Sequence, residues 1–415
     1  MSTPTGNKLT VITVPALLII TAYFAMPHAS ALPATLVAKL PLAPYLMFAG
    51  AAALGILYDR HRMVLTSLAL AVSYWILNGS VSENFRIDQQ AQLLYCTVGL
   101  LLPINLALIC RQKESKPFSI EGLIAFSVIT CQAAVAFLLV HTYPELIRSI
   151  ALFEIMPNIG LNNSLQMPQM IFLCYVLATG YAVWTFLEKK SVFESAFIGS
   201  LIASGLFFHT GLEYPNAALY MTLAGFIPVA AIVQNAYFIA YMDELTDLPG
   251  RRALNEEMAR LRGNYSIAML DVDHFKKFND TYGHDIGDQV LRMVGSKIRG
   301  IGGGGKPYRY GGEEFAILFP NKSTKTSFPH LSSLREEIDG TRMVLRNQSK
   351  ATDAKNKAKS KKKTIPWQEV HVTISIGVAE RSKSLVEATD VIKGADQALY
   401  HAKEKGRNRI SQYAA

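Results

Sequence analysis

The chain has 415 residues, of which 50% are hydrophobic and 18% are charged, and its mean hydropathy is +0.20. This length predicts two or three domains, and the hydropathy is too high for an ordinary soluble protein or a disordered chain. The formal net charge is +9, of which +8 lies in residues 242–415. A basic excess is typical of proteins that meet nucleic acid, an anionic membrane face or phosphorylated substrates.

Residues 1–241 predict an all-α membrane bundle. A spanning helix needs roughly 20 mostly apolar residues. Eight segments fit: 9–26, 41–58, 63–77, 92–110, 120–141, 169–187, 192–212 and 217–241.

The loops between these segments predict a topology. Three short loops, 58–62, 111–116 and 188–190, are basic, and the others are longer or poor in Lys and Arg. The positive-inside rule places basic loops in the cytoplasm, so with eight spans both termini are cytoplasmic. Glu194 and His209 lie inside predicted spans, where we expect pairing with neighbouring helices; a ligand or proton-sensing role stays open.

Residues 242–415 change character and predict a separate α/β domain. Short β-rich runs alternate with helical stretches, which is typical of a sheet covered by helices. The predicted strands are 266–271, 308–310, 315–319 and 370–377, and the predicted helices are 251–262, 288–299, 332–346 and 385–405.

Two segments of low complexity interrupt this domain. Gly302 to Gly305 predicts a flexible link. Residues 350–363 contain seven lysines and one acid, Asp353, which predicts a solvated loop. Attraction of this run to an anionic inner leaflet is the alternative.

Acidic residues gather at two predicted turns. Asp271 ends an apolar strand, and the segment Tyr310-Gly-Gly-Glu-Glu-Phe315 predicts a tight hairpin whose glycines, Gly312 among them, let a phosphate approach the backbone. If this hairpin pairs beside the Asp271 strand, Asp271 and Glu313 converge. Facing carboxylates need a cation and hard oxygen ligands suit Mg²⁺, so the pattern predicts phosphoryl or nucleotidyl transfer.

Cations and guanine-reading groups accompany the acids. Lys403 and Arg407 lie four residues apart, which predicts one helical face presented to triphosphate oxygens, and Lys276 is a further candidate. Asn279 and Asp288 supply an amide and a carboxylate, and a carboxylate accepts well from the N1–H and amino group of guanine.

These motifs together resemble a known family, the GGDEF domains of diguanylate cyclases, over about residues 243–411. The resemblance rests on several spaced motifs in the same order. They are Asp243-Glu-Leu-Thr-Asp-Leu-Pro-Gly-Arg-Arg252, Asp271-Val-Asp-His-Phe-Lys-Lys-Phe-Asn-Asp280, Gly283-His-Asp-Ile-Gly-Asp288, Arg309-Tyr-Gly-Gly-Glu-Glu-Phe315, Ser375-Ile-Gly377, Ala395-Asp-Gln-Ala-Leu-Tyr400 and Gly406-Arg-Asn408.

The resemblance implies a role for each matching residue. Asp271, Glu313 and the Val272 carbonyl would hold Mg²⁺ or Mn²⁺, Glu313 would also activate the attacking 3′-hydroxyl, and Glu314 would support the site. The substrate-binding residues would be Asn279 and Asp288 on guanine, His284 beside that pocket, Gly312 at the turn, and Lys276, Lys403 and Arg407 on phosphates.

The resemblance also implies a ferredoxin-like fold, similar to the palm of nucleotide cyclases and polymerases. Each domain would hold one GTP, so a homodimer would join two GTP molecules into cyclic di-GMP. Downstream receptors would bind this product in bacterial signal transduction such as biofilm control. Together with the predicted bundle, the resemblance implies a multi-pass protein of the bacterial inner membrane that contacts lipid and binds no nucleic acid. Its domains would be an N-terminal sensor domain, 1–241, and a cyclase domain, 242–415.

Departures from the family pattern are also visible. Many members carry an inhibitory Arg-x-x-Asp product site, but Gly302 and Gly305 stand at the matching positions, so this site is expected to be absent. Asp247 stands where glycine is usual and Gly250 where asparagine is usual. Two alternatives stay open: a non-catalytic nucleotide receptor, which the intact acids disfavour, and a transporter with a regulatory tail.

Overall fold

The computed structural model describes residues 8–25, 33–80, 89–155, 167–210, 215–345 and 368–414. It divides into two compact units, Met1–Ala236 and Tyr237–Ala415. The boundary predicted at residue 241 stays a prediction. The lysine run 350–363 lies outside the described residues.

The regular elements in the described part of the first unit are all helices. Its helices are α1 (Lys8–Ala25), α2 (Ala34–Val37), α3 (Ala43–Leu57, preceded by a 3₁₀ turn at Leu40–Leu42), α4 (His61–Ser80), α5 (Gln89–Arg111), α6 (Ile120–Thr142), α7 (Pro144–Ala151), α8 (Gln169–Lys189), α9 (Val192–His209) and α10 (Asn216–Tyr241).

Six of the described helical segments are long and apolar enough to cross a membrane. They are Ala34–Leu57, α5, α6, α8, α9 and α10. The predicted spans 9–26 and 63–77 coincide with α1 and α4, which are not among the six; in α1 only Thr13–Phe24 forms a shorter apolar helix. The count of eight spans therefore stays a prediction.

A buried ion pair links three helices of this unit. Arg62 of α4 donates to Glu194 of α9 at 2.9 Å, and to the carbonyls of Ile109 and Cys110 in the last turn of α5. Both charged side chains are at most 5% exposed. The expectation that Glu194 pairs with a neighbouring helix is met in the structure.

The second unit is a mixed sheet with helices on both faces. Its elements are α11 (Arg251–Arg260), β1 (Tyr265–Val272), α12 (Phe275–Tyr282), α13 (His284–Arg299), β2 (Lys306–Gly311), β3 (Glu314–Pro320), α14 (Thr324–Asp339), β4 (Arg342–Leu345), β5 (Gln368–His371), β6 (Ile374–Glu380), α15 (Ala388–Glu404) and β7 (Ile410–Gln412).

The strand order of the main sheet is β2-β3-β1-β6-β7, and β4 and β5 form a separate pair. All neighbours are antiparallel except β6 and β7. Alternate residues of β1 enter two different cores, with Ala268 and Leu270 facing one layer of helices and Ile267 and Met269 facing the other. Because β1 is buried on both faces, it reads as a continuous apolar run rather than an alternating one.

Two predicted elements were wrong in extent. The run 370–377 is divided between β5 and β6, which belong to different sheets. The predicted helix 332–346 begins earlier, at Thr324, and ends at Asp339; residues 342–345 form strand β4 instead. Both errors arise because sequence periodicity is local, whereas the choice of strand partner depends on tertiary contacts.

The glycines at 302–305 form a tight turn rather than a flexible link. Gly303 and Gly304 have φ of +68° and +70°, and a Cβ on Gly303 would lie 2.3 Å from the His330 ring. The turn therefore needs glycine both for its backbone conformation and for the close approach of His330.

Candidate active site

The acidic residues meet where β1 ends beside the turn between β2 and β3. Asp271 is the register partner of Glu314, and the Val272 N–H lies 3.4 Å from the Glu313 carbonyl. Gly312 at the turn has φ of +49°, which favours glycine. The structure thus contains the predicted hairpin beside the Asp271 strand and brings Asp271, Glu313 and Glu314 together.

The acids disfavour one another's charged forms. Burial raises the pKa of the Asp271 carboxyl, although Lys403 opposes this with its Nζ 2.9 Å from Asp271 Oδ2. Burial and the nearby Asp271 charge also raise the pKa of Glu313 and of Glu314. A cluster of carboxylates with raised pKa values is a place where a further cation would bind favourably.

Arg407 reaches the site by a route that the sequence did not predict. Helix α15 ends at Glu404, so Lys403 and Arg407 do not share a helical face. Arg407 and Asn408 instead adopt left-handed backbone conformations, with φ of 61° and 44°. Arg407 nonetheless stays close enough to Asp271 to oppose the rise in the pKa of that carboxyl.

Asp273 holds this loop in place, a role that sequence reasoning missed. Its carboxylate accepts hydrogen bonds from Thr373 Oγ1 (2.7 Å), Ser375 Oγ (2.6 Å) and the Asn408 N–H (3.0 Å). Since Asn408 follows Arg407, Asp273 fixes the backbone that presents Arg407. The Asp-x-Asp spacing at the end of the apolar strand was the available signal. It could not distinguish a carboxylate that binds a metal from one that holds a loop in place by hydrogen bonds.

The predicted guanine readers lie on two consecutive helices. Asn279 is on α12 and Asp288 is in the second turn of α13, and both are half-buried. Asn279 Oδ1 is buried without a hydrogen-bond partner, and a Cβ on Gly287 would lie 1.8 Å from it. The small residue before Asp288 thus leaves space for the Asn279 amide.

If Asn279 reads guanine as the resemblance implies, replacing Gly287 by Ala is expected to raise the KM for GTP about tenfold, by displacing Asn279 at the cost of about one hydrogen bond. The nearest obstacle is the tip of a side chain that can swing aside. Stability should therefore change little, since alanine also favours the helix. Steady-state kinetics of the full chain will test this, with exposed Gln289→Ala on the same helix as the control; an unchanged KM would contradict it.

Two predicted site residues are more loosely placed. His284 is the first residue of α13 and Lys276 lies in the first turn of α12, and both are exposed. No hydrogen bond or ion pair ties either side chain to the acidic cluster within the part of the chain that the structure describes. Their predicted roles stay predictions.

Arg309 connects the opening motif to the Gly-Gly turn. Its guanidinium donates to Asp243 Oδ1 at 2.6 Å and to the Gly312 carbonyl at 2.6 Å. Burial would raise the pKa of Asp243, but hydrogen bonds from Arg309 and Thr246 hold it below its usual value. Arg309 is a positioning residue for the turn that sequence reasoning quoted only as part of a motif.

The positions of the family's inhibitory site carry no charged groups in the structure. Gly302 and Gly305 lie in the tight turn before β2, and Arg299 donates to the carbonyls of Thr246 and Asp247. Arg299 thus supports the opening loop, and the expected absence of the product site stays a prediction. Asp247 has φ of 54°, which explains why glycine suits this position.

The donor set fits a divalent cation completed by a substrate. Asp271 and Glu313 supply hard oxygen ligands, and the neighbouring Val272 carbonyl is a third candidate. No group of three or more His, Cys, Asp and Glu side chains that could hold a metal occurs within the described ranges. Two carboxylates without a full protein cage are typical of Mg²⁺ sites that use substrate phosphates and water.

As the pH is lowered, the affinity of this site for a divalent cation is expected to begin to fall at a higher pH than it would for carboxylates with ordinary pKa values. Protons compete for Asp271 and Glu313, and the raised pKa values mean that this competition begins at a higher pH. Lys403→Met removes a charge that lowers both pKa values, so it should shift the decline to still higher pH. Titration of the full chain with Mn²⁺ from about pH 8 to about pH 5 measures this; constant affinity over that range would contradict it.

The second unit thus combines a mixed five-stranded sheet with acidic residues at a Gly-Gly hairpin. Residues 240–409 match the family model described as "Diguanylate cyclase, GGDEF domain". The match covers less than half of the chain and lies wholly within the second unit, which therefore contains a GGDEF domain.

Two curated relatives are similar to part of the chain. Diguanylate cyclase VdcA of Vibrio cholerae is 34% identical over 175 residues, which are 41% of this chain and 46% of that protein. Diguanylate cyclase A of Treponema denticola is 35% identical over 147 residues, 35% of this chain and 34% of that protein. The aligned region spans less than half the length of either relative.

A solved structure also aligns with part of the chain. The coiled coil and GGDEF domain of DgcB from Caulobacter crescentus, in complex with c-di-GMP, is 31% identical, covers 44% of this chain and 91% of that one, and has a TM-score of 0.38.

Proposed function

We propose that the protein is a diguanylate cyclase, which joins two GTP molecules into cyclic di-GMP and releases two pyrophosphates. The observation that carries the proposal is the cluster of Asp271, Glu313 and Glu314 around Lys403, beside a Gly-Gly turn. Such a cluster combines a cation site with a fixed ammonium at a place that phosphates can approach. The GGDEF family match gives this arrangement its substrate.

Each residue of the site has a separate role in the proposed reaction. Asn279 and Asp288 orient guanine, and Lys403 and Arg407 offset the phosphate charge that grows as the α-phosphorus–oxygen bond to pyrophosphate breaks. Glu313 takes the proton from the attacking 3′-hydroxyl, and its raised pKa suits a general base. Mg²⁺ or Mn²⁺, when bound by Asp271, Glu313 and the Val272 carbonyl, would neutralise the triphosphate and polarise the α-phosphate.

The reaction requires two copies of the domain. Each domain binds one GTP, and each 3′-hydroxyl attacks the α-phosphate held by the other copy. Two new phosphodiester bonds form and two pyrophosphates leave, so the product is a closed dinucleotide. A homodimer is therefore part of the proposal, as are downstream receptors that read the product in signal transduction such as biofilm control.

The location of the protein is also a proposal. Six apolar helices of spanning length and the basic loops between predicted spans support a multi-pass protein of the bacterial inner membrane, with both termini cytoplasmic and the helical unit in lipid. GTP is a cytoplasmic substrate, which agrees with this topology. The helical unit would control the cyclase.

A product assay on the full-length protein tests the proposal. The protein in nanodiscs is incubated with GTP and Mg²⁺, and the nucleotides are identified by mass. Cyclic di-GMP should form from GTP, but not from ATP and not after chelation of the divalent ion. Tight GTP binding without any product, at several protein densities that allow dimerisation, would favour a nucleotide receptor instead.

A further inference from the structure

A small apolar cavity lies within the first unit, between helices α4, α5 and α6. Its volume is about 260 Å³, and all of its lining residues are apolar except Ser73, Asn105 and Thr130. A dry apolar cavity of roughly 150 Å³ already binds benzene, so this cavity has room for a somewhat larger organic molecule.

Asn105 supplies a polar group that has no partner inside this apolar space. Its side chain lines the cavity from α5, and its Oδ1 atom is buried but accepts no hydrogen bond from any group in the part of the chain that the structure describes. The Thr130 hydroxyl, by contrast, is used within its own helix, where it donates to the carbonyls of Phe126 and Ser127. A buried acceptor without a partner is unfavourable, so an occupant that donates a hydrogen bond at this point would be stabilised.

The lining sets two requirements on an occupant. The apolar walls favour an apolar body, since empty space at these walls forfeits dispersion contacts. The Asn105 oxygen favours one O–H or N–H donor. A lipid acyl chain meets only the first requirement, and a water molecule at Asn105 meets only the second, whereas an apolar molecule with one hydroxyl group meets both.

Helix α6 forms the outer wall of the cavity. Its buried residues are Gly122 and Ala125, so most of its side chains contact no other helix. Among the lining residues, Leu68, Val72 and Phe126 are between 39% and 49% exposed, which makes the rim of the cavity apolar as well. A lipophilic molecule can therefore enter past α4 and α6, and once bound it would join the loosely packed α6 to its neighbours.

We propose that this cavity binds a small lipophilic molecule with one hydroxyl group, of the class of medium-chain alcohols and alkylphenols, whose O–H donates to Asn105 Oδ1. The inference goes beyond the proposed cyclase activity and does not depend on it. Only the route of entry rests on the proposed placement of the helical unit in lipid. The cavity would give the helical unit a ligand of its own, distinct from any nucleotide.

Photolabelling of the full chain in nanodiscs tests the proposal. The probe is a diazirine derivative of 1-octanol, and its attachment sites are mapped by mass spectrometry. The competitors are 1-octanol and its isomer heptyl methyl ether, compared at equal concentrations in the membrane. Both have the same size and one oxygen, but only octanol donates a hydrogen bond. Labelling is expected on peptides of α4, α5 and α6, and octanol should compete about tenfold more strongly than the ether, which corresponds to one hydrogen bond.

Three variants separate the hydrogen bond from the apolar space. Asn105→Leu removes the acceptor and keeps a side chain of similar size, so it should still be labelled but lose the preference for octanol. Gln132→Leu is the matched control, since Gln132 lies on α6 but does not line the cavity, and it should keep the preference. Ala133→Phe fills the cavity from an exposed position of α6, which the fold tolerates, and should reduce labelling at all three helices.

A preference for octanol in the wild-type protein and in Gln132→Leu, together with its loss in Asn105→Leu, supports the proposal. Equal competition by octanol and the ether in the wild-type protein overturns it, because the cavity would then accept any apolar chain. It is also overturned if Asn105→Leu keeps the preference, or if the label attaches outside the three helices or is not reduced by Ala133→Phe. Cyclase activity enters none of these readouts, so failure of the proposed function would be seen separately.

Discussion

Cyclic di-GMP formation is expected to fall on the order of 10³-fold when Glu313 is replaced by Gln, since the proposed general base and the proposed cation ligand are lost together. Glu313 follows the Gly-Gly turn, and its backbone lies next to Val272 at the end of β1. Glutamine keeps the size of the side chain but cannot accept the hydroxyl proton or supply a charged ligand. The hairpin itself should remain, because its geometry depends on Gly312 and Arg309.

The measurement is product per enzyme by mass spectrometry, on full-length protein whose GTP binding is determined in parallel. Glu404→Gln is the matched control, because Glu404 is exposed, ends α15 and is adjacent to Lys403. The control should keep wild-type turnover. Retained activity in Glu313→Gln, with wild-type GTP affinity, would remove Glu313 from the mechanism and direct attention to Glu314.

The parts of the site that depend on neighbouring residues in sequence were predictable. The Gly-Gly pair between two strand-like runs predicts a hairpin whatever the rest of the fold. Asp271 directly follows an apolar run, which predicts its place at the end of a strand. The pairing of β3 with β1 then brings Asp271 opposite Glu314. Only this last step needed tertiary structure, and the spacing of the acids already favoured it.

The placement of Arg407 could not be predicted in the same way. A spacing of four from Lys403 fits a helix, but Gly406, with φ of 107°, and two further left-handed residues end the regular structure. What stabilises this conformation is Asp273, more than a hundred residues earlier, through its bond from Asn408. A local pattern contains no information about such a distant partner, so the sequence could not predict how the Arg407 backbone is held.

The prediction of a single strand over residues 370–377 was wrong for a related reason. Its alternation is genuine, but Asp273 donates its backbone N–H to Thr373, and the chain changes sheet near this point. β5 then pairs with β4, whose residues had been predicted as helix. β4 and β5 pair with each other. Once the residues of β4 were predicted as helix, β5 had no separate partner and was joined to the following strand.

Replacing Gly377 by Ala is expected to destabilise the second unit by about 3 kcal/mol or more, because the site is already closely packed. A Cβ there would lie 2.0 Å from the Leu399 backbone nitrogen and 2.1 Å from the Ala395 carbonyl oxygen. These are backbone atoms of α15, so no side-chain rotation can relieve the overlap. The helix must move away from β6, and Lys403, four residues after Leu399, would move with it.

Loss of protease resistance on heating the full-length protein measures this effect. A destabilisation of that size corresponds to a decrease of roughly 8 °C in the unfolding temperature of a domain of this length. Gly300→Ala is the matched control, since its Cβ would make only an ordinary contact of 3.4 Å with the Lys297 carbonyl and its φ of −83° suits alanine. Equal unfolding temperatures for the two variants would mean that β6 and α15 are less tightly packed than the structure shows. A fall in activity without a fall in unfolding temperature would instead mean that α15 shifts locally, and that Lys403 is sensitive to small displacements of its helix.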